Sequence, residues 1–134
     1  DRVEFVKEYD ANLHEVPCIS SEIEQVMRNL IRNAVQAIFD QEIPPDNPKI
    51  ILRTRHEVER NLVLIEVEDN GVGMDETVQR RVFEPFFTTK PPGEGIGLGL
   101  AVSYFLITVA HQGLMDVRSV PGKGTVFSIR LPLS

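Results

Sequence analysis

Apolar positions along the chain fall into two rhythms, one helical and one alternating. Ile23, Val26, Met27, Leu30, Ala34, Ala37 and Ile38 recur at helical spacing. They predict an amphipathic helix over residues 22–39, with that stripe facing a core. Ser20 and Ser21, with Glu24 following, read as a helix start of capping-box type. Three prolines within 41–48 end the helix. Residues 2–9 alternate well enough for an edge strand. Strands are expected over 49–55 and 62–68, the second setting Val63, Ile65 and Val67 against Glu66 and Glu68. A long glycine- and proline-punctuated stretch, 70–97, holds a short helical candidate at 76–82. A clear helix follows over 98–110. Strands at 115–119 and 125–131 close the chain as a hairpin around Pro121-Gly122-Lys123-Gly124, with Phe127, Ile129 and Leu131 turned inward.

Strands come in adjacent pairs rather than alternating with helices. That order predicts a two-layer α/β (α+β) sandwich: a mixed, mainly antiparallel sheet of about five strands with about three helices on one face. With 134 residues and no internal repeat, one domain over 1–134 is expected.

Composition narrows the function classes. Charged residues make up 25% and the net charge is −6, with no basic block interleaved with aromatics, which argues against nucleic-acid binding. No apolar run reaches the length of a membrane span, and no signal-peptide pattern opens the chain. The chain begins at Asp1, so it is expected to derive from something larger. Cys18 is the one cysteine, which excludes an internal disulfide; a buried structural thiol in a reducing, intracellular setting is expected. His14, His56 and His111 lack metal-ligand spacing and receive no catalytic role.

Four features carry candidate chemistry. Asn29 and Asn33 lie one helical turn apart, with Gln25 and Gln36 extending the stripe. Asn disfavours helix interiors, so the pair reads either as a solvated face or as neutral oxygen ligands for Mg²⁺ and phosphate. Asp69 ends a strand and is followed by Asn70-Gly71-Val72-Gly73. It reads as a turn or as an acceptor for an exocyclic amino group, with Gly71 and Gly73 letting a flat base lie on the backbone. Gly93, Gly95, Gly97 and Gly99 stand directly before an apolar helix, a pattern suited to phosphate contact and matching neither the Rossmann fingerprint nor a P-loop. Phe83-Glu84-Pro85-Phe86-Phe87-Thr88-Thr89-Lys90 reads as a satellite core or as the hinge of a mobile lid over residues 84–97, with Lys90 offering a charge to phosphate.

Together these residues resemble the catalytic, ATP-binding domain of bacterial two-component sensor histidine kinases, within the Bergerat-fold superfamily shared with gyrase, the Hsp90 chaperones and MutL. Asn29-Leu30-x-x-Asn33-Ala34 is similar to the N box, and Asp69-x-Gly71-x-Gly73 to the first glycine box. Phe83-Glu84-Pro85-Phe86 is similar to the F box, and Gly95-x-Gly97-Leu98-Gly99-Leu100 to the second glycine box. Gly122-Lys123-Gly124-Thr125 resembles the last glycine segment. The wording of 86–90 is nearest the nitrogen-regulation sensor subgroup.

The resemblance implies roles. Asn33 would coordinate Mg²⁺ and Asn29 would support it or touch phosphate. Asp69 would bind adenine N6, with Gly73 and Met74 lining the base pocket and Thr125 near the adenine. Gly95, Gly97 and Gly99 would cradle phosphates. Many members carry Lys or Arg where this chain has Gln36, so the phosphate cation falls to Arg32 or Lys90. Ile96 replaces a hydroxyl residue, and His111-Gln112-Gly113 stands for the usual His-Gly-Gly. ATP-hydrolysing relatives place Glu at the position of Asn29; an amide cannot act as a general base, so this chain is expected to present ATP rather than hydrolyse it. The nucleophilic histidine would lie on a separate phosphoacceptor and dimerisation helical domain, with a response regulator engaged indirectly. The isolated domain is expected to be an inactive, cytoplasmic monomer with no direct membrane contact, and the parent a homodimer for which membrane anchoring stays open. Competing classes are a nucleotide-responsive module without phosphotransfer, a Bergerat ATPase, and a protein-serine kinase of the anti-sigma type.

Overall fold

Helix α1 (Ser20–Phe39) sets the core, because its stripe of Val26, Leu30, Ala34 and Ile38 is buried along its full length. Ile23 and Met27 pack at the margin of the same cluster, as the spacing predicts. The computed structural model describes residues 3–13, 15–89 and 98–133. The expected capping box does not form. Helix α1 starts at Ser20 with Ile19 as its cap residue, and no side chain caps it, because Ser20 and Ser21 are already inside the helix. The buried ring of His111 takes over there: its Nε2 accepts the Ile19 N–H at 2.9 Å, so Nδ1 carries the proton and donates it to the Leu106 carbonyl at 2.8 Å. Cys18 is exposed rather than buried, since it sits in the loop just before that helix start.

The sheet has five strands: β1 (Glu4–Glu8), β2 (Lys49–Glu57), β3 (Leu62–Asp69), β4 (Leu114–Val120) and β5 (Gly124–Pro132), in the spatial order β1-β2-β3-β5-β4. β1 runs parallel to β2 and every other pairing is antiparallel. Opposite pairs Val63–Leu131, Ile65–Ile129, Val67–Phe127 and Asp69–Thr125 share one face by the two-residue period of a strand. That face meets α1, and its buried apolar members complete the core. Asp69 and Thr125 are therefore carried into the interior by the same alternation that buries Val67 and Phe127. The opposite face is charged, with Arg53 bridging Glu8 at 2.9 Å and Glu68 at 2.6 Å. Such partly solvated pairs contribute at most about 1 kcal/mol each.

Two shorter helices complete the described elements. Short α2 (Glu76–Arg81) is capped by Asp75, whose carboxylate accepts the Val78 N–H at 2.8 Å, and it packs beside β4. Helix α3 (Gly99–Phe105) packs on α1 and widens into a π-helical turn over Leu106–Ala110, where a single α-helix through 110 is the sequence expectation. The wider turn keeps both Leu106 and Ile107 in the core, and its carbonyls serve His111 and the Gly113 N–H. Among the described residues no helix is long and apolar enough to cross a membrane.

Candidate functional site

Between α1 and the start of α3 lies a cavity of about 380 Å³. Helix α1 supplies one wall through Asn29, Arg32, Asn33, Gln36 and Ala37, continued by Asp40 just past its end. These positions recur every three to four residues, so they form the stripe beside the core face. Val72, Gly73 and Met74 form the facing wall at one end, and Leu98, Gly99 and Leu100 close the other. Val78 and Val82 of the α2 region and the segment Phe87 to Thr89 complete the lining.

The two asparagines differ. Asn29 is committed to the protein: its Nδ2 donates to the Gly99 carbonyl at 3.2 Å and to Ser103 Oγ at 3.1 Å. Ser103 is fully buried and passes its own proton to the same carbonyl at 2.9 Å. Asn29 thus ties α1 to the first turn of α3. Asn33 lines the cavity, and no described residue bonds its side chain. Arg32 is exposed on the same wall.

Asp69 does not line the cavity. It is 5% exposed and its Oδ1 accepts the Gly71 N–H at 2.8 Å. Burial pushes its carboxyl up from 3.8 to about 6, against the opposing pull of the Gly71 and Thr125 N–H groups. Thr125 is likewise buried, and the two stand opposite each other on neighbouring strands. Thr125 Oγ1 lies 2.8 Å from Ser119 Oγ, which accepts the Met74 N–H at 2.7 Å.

The glycines after Asp69 serve a different need from the one their sequence suggests. A Cβ on Gly71 would stand 2.6 Å from the Ala37 carbonyl carbon, so glycine is required for the chain to cross α1 closely enough for the Val72 N–H to reach the Ala37 oxygen. Gly73 has φ +74 and its Cβ would meet the Val120 oxygen at 2.2 Å. Protein packs against protein at both positions, and of the two only Gly73 also lines the cavity.

Phe83 is a core residue rather than a wall residue: its ring stacks on Tyr104 at 4.9 Å and meets Phe127 edge-on at 6.1 Å. Phe86 is 73% exposed, while Phe87 reaches the cavity with the Arg81 guanidinium 4.6 Å above its ring. Of the sequence-predicted site residues, the structure brings Asn29, Arg32, Asn33, Gly73, Met74, Leu98, Gly99 and Leu100 to one cavity. Lys90, Gly95 and Gly97 lie outside the described residues, as does most of the expected lid. Thr88 and Thr89 of the expected lid line the cavity, and so do Asp40, Val72, Val78 and Val82, which were not singled out in the sequence. Asp40 was legible, since it continues the stripe from Asn33 and Gln36; the others depend on how the 70–89 segment folds back. Among the described residues no cluster of three His, Cys, Asp or Glu side chains forms a metal cage.

Residues 18–134 match the family described as histidine kinase-, DNA gyrase B-, and HSP90-like ATPase, and the chain belongs to it. It is 40% identical over 133 residues to the signal transduction histidine-protein kinase AtoS of Escherichia coli (strain K12), covering 99% of this chain and 20% of that protein. It is 38% identical over 141 residues to the sensory histidine kinase/phosphatase NtrB of Klebsiella oxytoca, covering 99% of this chain and 38% of that protein. The chain thus spans well under half the length of either relative. The catalytic domain of histidine kinase ThkA superposes with a TM-score of 0.81 at 28% identity, covering 98% of this chain and 80% of that one. A structure of ThkA with the response regulator protein TrrA also matches, at 26% identity and a TM-score of 0.77, covering 98% of this chain and 34% of that one. The five-stranded mixed sheet with its three helices is thus the Bergerat fold of histidine kinase catalytic domains.

Proposed function

We propose that this member of the ATPase family holds Mg-ATP in the cavity between α1 and α3 and donates the γ-phosphoryl group to a histidine on a separate helical phosphoacceptor and dimerisation domain. The observation that carries this reading is the convergence of Asn29, Asn33, Gly73, Met74 and the first residues of α3 on one cavity in a chain of this family.

The donor set suits Mg²⁺. Mg²⁺ is held by one or two protein oxygens plus phosphates and water rather than by a dedicated cage, and Asn33 offers one uncommitted amide oxygen with no acidic cluster around it. Bound there, the ion would neutralise phosphate charge. Arg32, on the same wall, is the described cation available to the phosphates. Asn29 has its amide nitrogen tied to Gly99 and Ser103, and it carries no basic group to activate water. The chain therefore positions the phosphates and leaves the nucleophile to its partner, where orientation does most of the work. At the other end we assign Asp69, buried behind the Gly71–Met74 segment, as the acceptor for the base; it is ionised above about pH 6 and then only accepts hydrogen bonds. Adenine presents an amino donor at C6, whereas guanine presents a carbonyl.

ThkA was solved with a response regulator; for this chain we assign a response regulator as the acceptor from the phosphorylated histidine. Calorimetric titration in Mg²⁺ tests the site. ATP is expected to bind at least about tenfold tighter than GTP, the cost of one buried acceptor–acceptor mismatch. Equal affinities would overturn the assignment of Asp69. Added to a histidine-bearing phosphoacceptor hairpin from the same parent protein, the chain is expected to transfer label from γ-labelled ATP as acid-labile phosphohistidine. ATP binding without any such transfer would leave a nucleotide-responsive module instead.

A further inference from the structure

In the segment after Asp69 the N–H groups of Gly71, Val72 and Met74 and the carbonyls of Val72 and Met74 bond to protein, and two side chains hold Met74. Gln79 of α2 donates through Nε2 to the Met74 carbonyl and to the Ser119 carbonyl, each at 3.0 Å. Its Oε1 accepts the Ser119 N–H at 3.1 Å. This fixes the orientation of the amide, because a flipped group would set an oxygen against two carbonyls. Ser119 in turn accepts the Met74 N–H on its hydroxyl and donates to the Gly124 carbonyl at 2.8 Å. A hydroxyl has one proton. With that proton on Gly124, the 2.8 Å contact to Thr125 has Thr125 as donor. Met74 is thereby gripped at both its N–H and its C=O, and the same network reaches the Thr125 hydroxyl beside Asp69.

Neither Gln79 nor Ser119 lines the cavity; Met74 does. We propose that Gln79, acting through Ser119 and Met74, is a positioning residue that fixes the wall receiving the base, and so governs affinity for the adenine end of the ligand rather than for its phosphates. This rests on the reading of the cavity as an ATP site. Gln79 also caps the exposed edge of β4 at Ser119, so a purely structural role would show as lost stability with unchanged affinity.

The test is titration of ATP, ADP and adenosine against Gln79→Ala, Gln79→Glu, Ser119→Ala and Ser119→Thr, well below each variant's thermal midpoint, with and without Mg²⁺. Gln79→Ala is expected to weaken all three ligands by a common factor of about ten. The ratio of ATP affinities with and without Mg²⁺ should stay at the parent value. Gln79→Glu keeps the acceptor for Ser119 but presents oxygen to the Met74 carbonyl, so it should weaken them as much. Ser119→Thr keeps the hydroxyl and should bind like the parent, whereas Ser119→Ala should not. Combining Gln79→Ala with Ser119→Ala should cost less than the product of the two, since both act on one backbone unit. A folded Gln79→Ala that binds adenosine as tightly as the parent would overturn the inference, as would weakening confined to Mg-ATP. If Gln79→Ala does not fold, Gln79→Glu and the two Ser119 variants decide between the same outcomes. A parent chain that binds no adenine nucleotide would sink the ATP reading and this inference with it; tight parent binding with indifferent variants would sink the inference alone.

Discussion

At the Gly71–Met74 end of the cavity the protein has used its own groups to build the wall. Gly71 leans on α1, Gly73 on the β4–β5 turn, Val72 bonds to Ala37 and Gly122, and Met74 to Ser119 and Gln79. At the Asn29–Gly99 end the walls are looser. Gly99 is exposed, a Cβ there would meet no described atom nearer than Asn29 Cγ at 3.9 Å, and Asn33 has no described partner. Among the described residues, one end is closed by protein contacts, while at the other Asn33 keeps its side chain uncommitted. A base is flat, uncharged and recognised by shape, so it needs a prebuilt slot. Phosphates bring charge and an ion, and they can organise a site whose groups are still uncommitted.

Glycine substitution separates the two ends most sharply. Gly73→Ala adds a Cβ 2.2 Å from the Val120 oxygen at φ +74, so backbone must move. A loss of about 3 kcal/mol or more is expected, read as a collapse of the denaturant midpoint. Gly99→Ala adds an atom in ordinary van der Waals space inside a helix, and should hold or slightly raise stability. Comparable destabilisation by both would erase the contrast between the ends.

Asp69→Asn should move stability and binding in opposite directions. Asp69 has its folded-state carboxyl raised to about 6 from 3.8 by burial. Its neutral form is the one the interior favours. Its contribution to stability is therefore complete below about pH 3.8 and is lost as pH rises through about 6. At pH 8 the buried charge costs about 2–3 kcal/mol, the free-energy equivalent of that rise from 3.8 to about 6. Asn keeps an oxygen for the Gly71 N–H and carries no charge, so the variant should be more stable than the parent at pH 8 and equal to it near pH 4. Its ATP affinity should nonetheless fall by about tenfold or more, because an amide cannot reproduce an ionised acceptor. Thermal melts across pH 4–8 beside titrations at pH 8 check both. Parallel changes in melting and affinity would mean that Asp69 serves the fold alone. In the parent, ATP affinity should decline as pH falls through about 6.

The fold was legible where periodicity was strong. The helical stripe of α1 and the alternation of β3 and β5 each specify one face, and the structure buries those faces. The α1 side of the site followed from the same stripe, because a helix displays its flank at fixed intervals. What could not be read was anything depending on one loop crossing another. Gly71 and Gly73 announced close approach, but only the fold reveals that α1 and the Val120 carbonyl make that approach. Gln79 carries no signal of its own on a short helix, and its three bonds exist only because β4 lies alongside. The capping signal at Ser20 and Ser21 misleads because a histidine 92 positions from Ile19 replaces the local cap.

The smallest effect contrasts two neighbours on α1. Asn29→Ala removes two donor contacts, to the Gly99 carbonyl and to Ser103 Oγ. Each neutral hydrogen bond contributes about 1 kcal/mol net. Ser103 keeps its own bond to Gly99, so no buried donor is stranded. Alanine returns roughly half a kcal/mol of helix propensity. A net loss of about 1 kcal/mol is expected, a drop of a few degrees in thermal midpoint. Asn33→Ala breaks no described bond, so propensity alone should act and the midpoint should hold or rise slightly. The ligand effect should run the other way, with Asn33→Ala abolishing the enhancement of ATP binding by Mg²⁺ and Asn29→Ala retaining part of it. An Asn33→Ala variant that melts lower than Asn29→Ala, yet binds Mg-ATP like the parent, would show that the two asparagines had been assigned the wrong way round.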